Sequence, residues 1–261
     1  MSDINIKTMA EMAAAGEKPE VLFWVGCAGS FDDRAKKITR SFVKLLNEAD
    51  VKFAVLGTEE SCTGDPAKRA GNEFLFQMQA MQNIEILNSY EVEKVVTACP
   101  HCMNTIKNEY PGLGGSYTVY HHSEFIQMLI DEGRLTVEGG EYIGKRITFH
   151  DPCYLGRGNG IYEAPRNLLN QFENELVEMK SCKSNGLCCG AGGAQVFKES
   201  EKGDKEVFVE RTEEALATKP DIIATGCPFC NTMLTDGLKH FNKENEIKVL
   251  DITEIVSAVK K

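Results

Sequence analysis

Apolar residues along the chain alternate between short continuous runs and longer stretches with helical spacing. The run VLFWVG from Val21 is too short for a helix and ends at a glycine, which predicts a buried strand. Ile38, Phe42, Leu45 and Leu46 then recur at helical spacing and predict a helix from about Asp32 to Glu48. VKFAVLG from Val51 predicts a second strand. Pro66, a residue suited to a first helical turn, opens a helical stretch reaching about Leu87. KVVTACP from Lys94 reads as a strand, CPHCMNTIKNEY continues it into a helix, and YTVYH and SEFIQMLIDEG close with a strand and a helix. After the glycine-rich stretch Gly133–Gly144, read as a linker, the pattern starts again. RITFHD, ELVEM, DIIATG and KVLD predict strands. Helices are predicted over Tyr162–Phe172, over Lys198–Ala217 and after Pro228.

The recurrence is an internal repeat, and the cysteines measure it. Cys27 and Cys153 stand 126 apart, and the pair Cys99 and Cys102 stands 128 from Cys227 and Cys230. VYHHSEFI from Val119 matches VLDITEIV from Val249, 130 further on. Between these landmarks, ESCTG with Cys62 corresponds to GLCCGAGG with Cys188 and Cys189. Landmarks in one order at nearly constant offset indicate duplication. The expected fold class is therefore α/β, with two pseudo-symmetric halves built on mainly parallel sheets. The expected division is an N-terminal extension over 1–20, a first cysteine-rich repeat over 21–138 and a second over 139–261.

Every landmark cysteine falls where a strand ends or a helix begins, the rim at which open α/β sheets gather their sites. Cys153, Cys188, Cys189, Cys227 and Cys230 converge in the second half, five thiolates in all. A tetrahedral zinc ion takes four ligands, as does a cubane four-iron cluster. A fifth thiolate is surplus for both and points to a more open cluster. Glycines in CCGAGG let backbone N–H groups approach cluster sulfurs, which tunes reduction potential. Cys27, Cys62, Cys99 and Cys102 occupy the matching places in the first half and suit either a four-iron cubane or zinc. Aligning the repeats sets Ser61 opposite Cys188 and Cys62 opposite Cys189, so a serine stands where the extra thiolate would be. Cys182 has no counterpart and reads as a spare thiol.

Composition narrows the setting. A chain of 261 residues, 42% hydrophobic and 26% charged, reads as an ordinary globular protein. A net charge of −10 argues against nucleic acid or an anionic membrane surface as partner. The N-terminus lacks the apolar core of a signal peptide, and no run approaches membrane-spanning length. A cytoplasmic location is expected, where thiols stay reduced, so the ten cysteines are not disulfide staples.

These motifs carry a resemblance. GC at Cys27, ESCTGDPAKRAGNEFLFQ, CPHC, HDPCYLGR, LCCGAGG and CPFC resemble the duplicated cysteine-rich (CCG) domain of heterodisulfide reductases. They are still more similar to the C-terminal half of iron–sulfur oxidoreductases of the glycolate/lactate oxidase and electron-transfer-flavoprotein:quinone type. The resemblance implies that Cys153, Cys188, Cys189, Cys227 and Cys230 ligate one iron–sulfur cluster, a 4Fe–4S centre of cubane or noncubane form. It implies that Cys27, Cys62, Cys99 and Cys102 ligate a second 4Fe–4S cluster or zinc. Ser61 departs from heterodisulfide reductase, which has an adjacent cysteine pair in both halves. Larger members carry ferredoxin-type cysteine runs and often membrane segments, and this sequence has neither.

The expected function is an iron–sulfur electron-transfer subunit of a heterodisulfide-reductase-like oxidoreductase complex. It would pass electrons between a flavoprotein or organic-acid oxidation and a quinone or other acceptor. Its expected partners are a ferredoxin-type iron–sulfur subunit, itself membrane-bound in some complexes, and a flavoprotein donor. Two other classes stay open: an enzyme acting on a thiol or disulfide at the five-cysteine cluster, and a zinc-stabilised structural subunit. Among other residues, His121 and His122 read as strand-end histidines, and His150 as orienting the loop before Cys153. Phe23 and Trp24 read as core, and Arg157 as a surface ion pair or a contact to anionic sulfides.

Overall fold

In the first unit, a strand too short to stand alone, β1 (Lys7–Thr8), leads directly into α1 (Met9–Ala14). Thr8 and Glu11 close this helix with a reciprocal capping box, and Met9 and Met12 bury its inner face. The structure is a computed structural model describing residues 6–137, 140–199 and 202–258. The chain divides into two units, Met1–Leu135 and Thr136–Lys261. The expected boundary at 138/139 lies outside the described residues.

The apolar run forms β2 (Val21–Trp24), buried at every position, and Phe23 and Trp24 are core as expected. α2 (Gly26–Phe31) and α3 (Ala35–Glu48) follow, the latter burying Ile38, Phe42, Leu45 and Leu46. β3 (Phe53–Val55) leads to α4 (Asp65–Arg69) and α5 (Glu73–Ser89). The single helix expected from Pro66 is thus two. Gly71 takes a left-handed φ of 85°, and Asn72 caps a fresh start by accepting from Leu75 N–H. β4 (Lys94–Thr97), α6 (Pro100–Asn104), β5 (Thr118–His121) and α7 (His122–Asp131) complete the unit.

The second unit repeats the plan. It runs β6 (Arg146–Phe149), α8 (Gly156–Asn159), α9 (Glu163–Asn170), β7 (Glu175–Leu176), α10 (Val207–Ala217), β8 (Ile222–Thr225), α11 (Pro228–His240), β9 (Lys248–Asp251) and α12 (Ile252–Ser257). α10 starts later than the expected Lys198. Gln195–Phe197 is an isolated tight turn, and Glu206 is still extended at the helix cap.

All pairings are parallel, in orders β1-β3-β2-β4-β5 and β7-β6-β8-β9. Apart from β1 the two orders coincide, which is the duplicated α/β architecture expected from the sequence. In each sheet the chain leaves the first strand of the repeat on one side and returns on the other. β2 beside β4, and β6 beside β8, therefore flank a topological switch point, where open α/β sheets place ligands. No helix among the described residues is long and apolar enough to cross a membrane.

Candidate metal centres

The cysteines occupy these switch points. Cys27 follows β2, and Cys99 and Cys102 follow β4 at the start of α6. Cys153 follows β6, and Cys227 and Cys230 follow β8 at the start of α11. All ten cysteines are free thiols. In each landmark group two are half-buried, Cys27 with Cys62 and Cys153 with Cys188, while the rest of the group is buried. Each group thus has a closed inner side and an edge open to its surroundings.

The thiols of each group are in mutual contact. Cys27 bonds Cys62, and Cys99 bonds Cys102. In the second unit Cys188 bonds both Cys153 and Cys189, and Cys227 bonds Cys230. The sulfurs of Cys189 and Cys230 are 3.3 Å apart. The structure therefore brings Cys27, Cys62, Cys99 and Cys102 together, and likewise Cys153, Cys188, Cys189, Cys227 and Cys230. Cys182 stays apart, in a setting of Glu178, Arg166 and Asp151.

Packing raises most of these thiols. Contact with Cys62, then burial, pushes Cys27 far up, and the same contact draws Cys62 down to about 7. Cys102 is raised by Cys99 and by burial. Cys188 is held well below the ordinary thiol range by Cys153 and Cys189, whereas Cys189 is pushed up to about 12, first by Cys188. One thiolate per group is sheltered by its neighbours' S–H groups, and further ionisation is opposed by like charge. Such a set is fitted to a cationic centre, which turns crowded thiols into thiolate ligands.

The loop between the second strand of each repeat and the following helix holds the decisive detail. Gly64 N–H donates to Cys62 Sγ at 3.5 Å, and Gly190 N–H donates to Cys188 Sγ at 3.3 Å. Both glycines sit at left-handed φ, 90° and 92°. A Cβ on Gly64 would press on Phe76 at 2.8 Å, and one on Gly190 would press on Val207 at 3.2 Å. The repeats therefore superpose as Cys62-Thr63-Gly64 on Cys188-Cys189-Gly190. Thr63, not Ser61, stands where the fifth thiol stands. Its hydroxyl lies 4.0 Å from Cys102 Sγ, as Cys189 lies against Cys230. Ser61 instead donates to Asn83 Oδ1 at 2.8 Å. The expected pairing of Ser61 with Cys188 and Cys62 with Cys189 is thus corrected by one residue. The signal was legible, since Cys62 to Cys188 gives the same 126 as Cys27 to Cys153.

Polar groups invisible in the spacing fix these loops. Glu60 accepts from the N–H groups of Val25 and Gly26 at 2.9 and 2.6 Å, tying the Cys62 loop to the turn that carries Cys27. Burial pushes its carboxyl up to about 7. Asn83 donates to Cys62 O at 3.0 Å, and the Tyr110 hydroxyl donates to Thr63 O at 3.1 Å. In the second unit Asp151 plays the tying part. It takes paired bonds from Arg166 at 2.8 and 2.9 Å and one from Lys183 N–H at 2.7 Å. Burial opposes the charge on Asp151, and these donors overcome it, holding the carboxyl below its ordinary value.

His121 ends a strand and caps α7 as Asp251 caps α12, a structural duty both halves share. Arg157 donates to Gly186 O, which makes it a loop tie. His150 is fully buried beside the second group, and burial pushes it down to about 3.

A model of the CCG cysteine-rich domain matches twice, over residues 21–107 and 147–235. This chain belongs to the CCG cysteine-rich domain family. The two matches contain both cysteine groups. The chain is 46% identical over 256 residues to the probable iron–sulfur-binding oxidoreductase FadF of Bacillus subtilis, covering 98% of this chain and 36% of that protein. It is 43% identical to the EtfAB:quinone oxidoreductase of Syntrophomonas wolfei, covering 92% and 34%. It is 34% identical to one polypeptide of the dihydromethanophenazine:CoB–CoM heterodisulfide reductase of Methanosarcina barkeri, covering 92% and 59%. The chain thus spans about a third of the length of the first two of these relatives.

Proposed function

We propose that this chain is an electron-transfer part of an iron–sulfur oxidoreductase, with one metal centre in each unit. The convergence of five free thiols at the switch point of the second sheet carries this reading. Cys153, Cys188, Cys189, Cys227 and Cys230 would hold an iron–sulfur cluster more open than a cubane. Cys27, Cys62, Cys99 and Cys102 would hold a four-iron cubane or zinc, since the fifth place is a threonine. Iron–sulfur clusters supply one-electron transfer at potentials set by ligands, hydrogen bonds and exposure. The chain's own residues set those terms. Gly64 and Gly190 N–H groups reach Cys62 and Cys188, the inner cysteines are closed from solvent, and the half-buried pairs leave one edge for exchange with a partner.

FadF and the quinone oxidoreductase, each about three times as long as this chain, support the partner reading. A ferredoxin-type iron–sulfur polypeptide and a flavoprotein donor would stand on either side of this one. A quinone or another acceptor would take the electrons. The half-exposed Cys153–Cys188 edge also favours a second reading, turnover of a small thiol or disulfide at that cluster.

Metal analysis tests the proposal. Anaerobically prepared protein is expected to be brown and to carry acid-labile sulfide with about four irons per intact cluster. A colourless protein holding zinc alone after anaerobic reconstitution would sink the proposal and leave the structural reading. Sustained turnover of a low-molecular-weight disulfide by the isolated, loaded protein would favour the enzyme reading over the carrier.

A further inference from the structure

His150 lies at the end of β6, three residues before Cys153, and is entirely buried. A ring nitrogen of His150 and the sulfurs of Cys189 and Cys230 lie within 4.8 Å of one another. Its Nδ1 accepts a hydrogen bond of 2.9 Å from Nε of Arg211, on α10. Its Nε2 is buried without a hydrogen-bond partner among the described residues.

A guanidinium has only donors, so Nδ1 of His150 must be an unprotonated acceptor. A neutral ring with an unprotonated Nδ1 carries its proton on Nε2. Such a nitrogen is a hydrogen-bond donor and no metal ligand. Leaving a buried N–H unmade is costly. The sulfurs beside it are the acceptors the site offers.

Arg211 is held for this task. It is fully buried, donates to Ser181 O at 2.8 Å and pairs with Glu214 at 2.5 Å. The first unit has no histidine at the matching place, since the offset of 126 sets Trp24 opposite His150.

We infer that His150, its tautomer fixed by Arg211, is a dedicated N–H donor to the thiolate sulfurs of the second centre. In this reading His150 is the group that reaches the sulfurs, and Arg211 is a positioning residue acting through it. The inference rests on the iron–sulfur reading. A hydrogen bond to a ligand sulfur stabilises the more negative, reduced state, so this contact would raise the potential of the second centre alone.

The test uses the full-length, cluster-loaded protein. First, histidine is labelled with nitrogen-15 in the wild type, and hyperfine spectroscopy is recorded on the reduced second centre. A weak nitrogen-15 coupling is expected, one transmitted through a hydrogen bond. A strong coupling, the mark of direct ligation, or no coupling would overturn the inference. Second, redox titration monitored by paramagnetic resonance compares variants of unchanged iron content. His150→Leu and Arg211→Met are each expected to lower the midpoint potential of the second centre, and His150→Gln, which keeps a side-chain N–H, to restore part of it. Loaded variants with wild-type potential would overturn the inference. Iron without histidine coupling defeats this inference alone, whereas zinc without iron defeats the cluster reading and this inference with it.

Discussion

At the scale of single residues, the difference in thiol number between the two sites comes down to one position. Thr63 and Cys189 occupy the same place in the two loops, each packed toward the last cysteine of its Cys-x-x-Cys pair. Thr63→Cys is therefore expected to create a fifth thiolate in the first site and to change its absorption and paramagnetic spectrum, leaving the second unchanged, because ligand number sets geometry and potential. Ser61→Cys should leave both spectra alone, since that side chain turns to Asn83. A first-site spectrum that responds to Ser61→Cys and ignores Thr63→Cys would reverse the superposition of the loops. Which residues carry thiols was readable in the sequence. Arg211 was not, because nothing in a helical VFVERTEE stretch marks an arginine as buried until α10 packs over the site.

At the scale of elements, the helices that follow the last strand of each unit begin with the same device. His121 with Glu124, and Asp251 with Glu254, form reciprocal capping boxes. Burial holds the Glu124 carboxyl above its ordinary value, although His121 N–H donates to it. A carboxyl raised in the folded state loses stability as pH climbs through its unfolded value, about 4.3. Glu124→Gln keeps an acceptor for His121 N–H without the charge. Its Tm relative to wild type is expected to rise from pH 4 to pH 7, while Glu124→Ala loses the bond and costs about 1 kcal/mol. A pH-independent difference for the glutamine variant would remove the burial explanation. Element boundaries were the least legible level. The break at Gly71-Asn72 and the late start of α10 hang on one glycine conformation and one extended cap residue.

At the scale of the whole molecule, each unit contains its own parallel sheet and its own cysteine group. Residues 136–261 expressed alone are expected to fold and, after anaerobic reconstitution, to show the second-site spectrum of the full chain. A fragment that stays unfolded, or takes up iron with a different spectrum, would show that the second unit depends on the first. The sequence by itself determined the duplication, the strand–helix alternation, the parallel sheets and the cysteines that share a rim. Those follow from periodicity and from where glycine, proline and cysteine punctuate it, which are local properties. Only the tertiary structure decided that β1 extends the first sheet beside β3. It alone showed that Thr63 takes the fifth place, that Glu60 and Asp151 tie loops together, and that Arg211 donates to His150 beside the second cysteine group. These depend on side chains far apart in sequence meeting in a buried space, where each hydrogen bond is fixed by direction and distance. A linear pattern records neither.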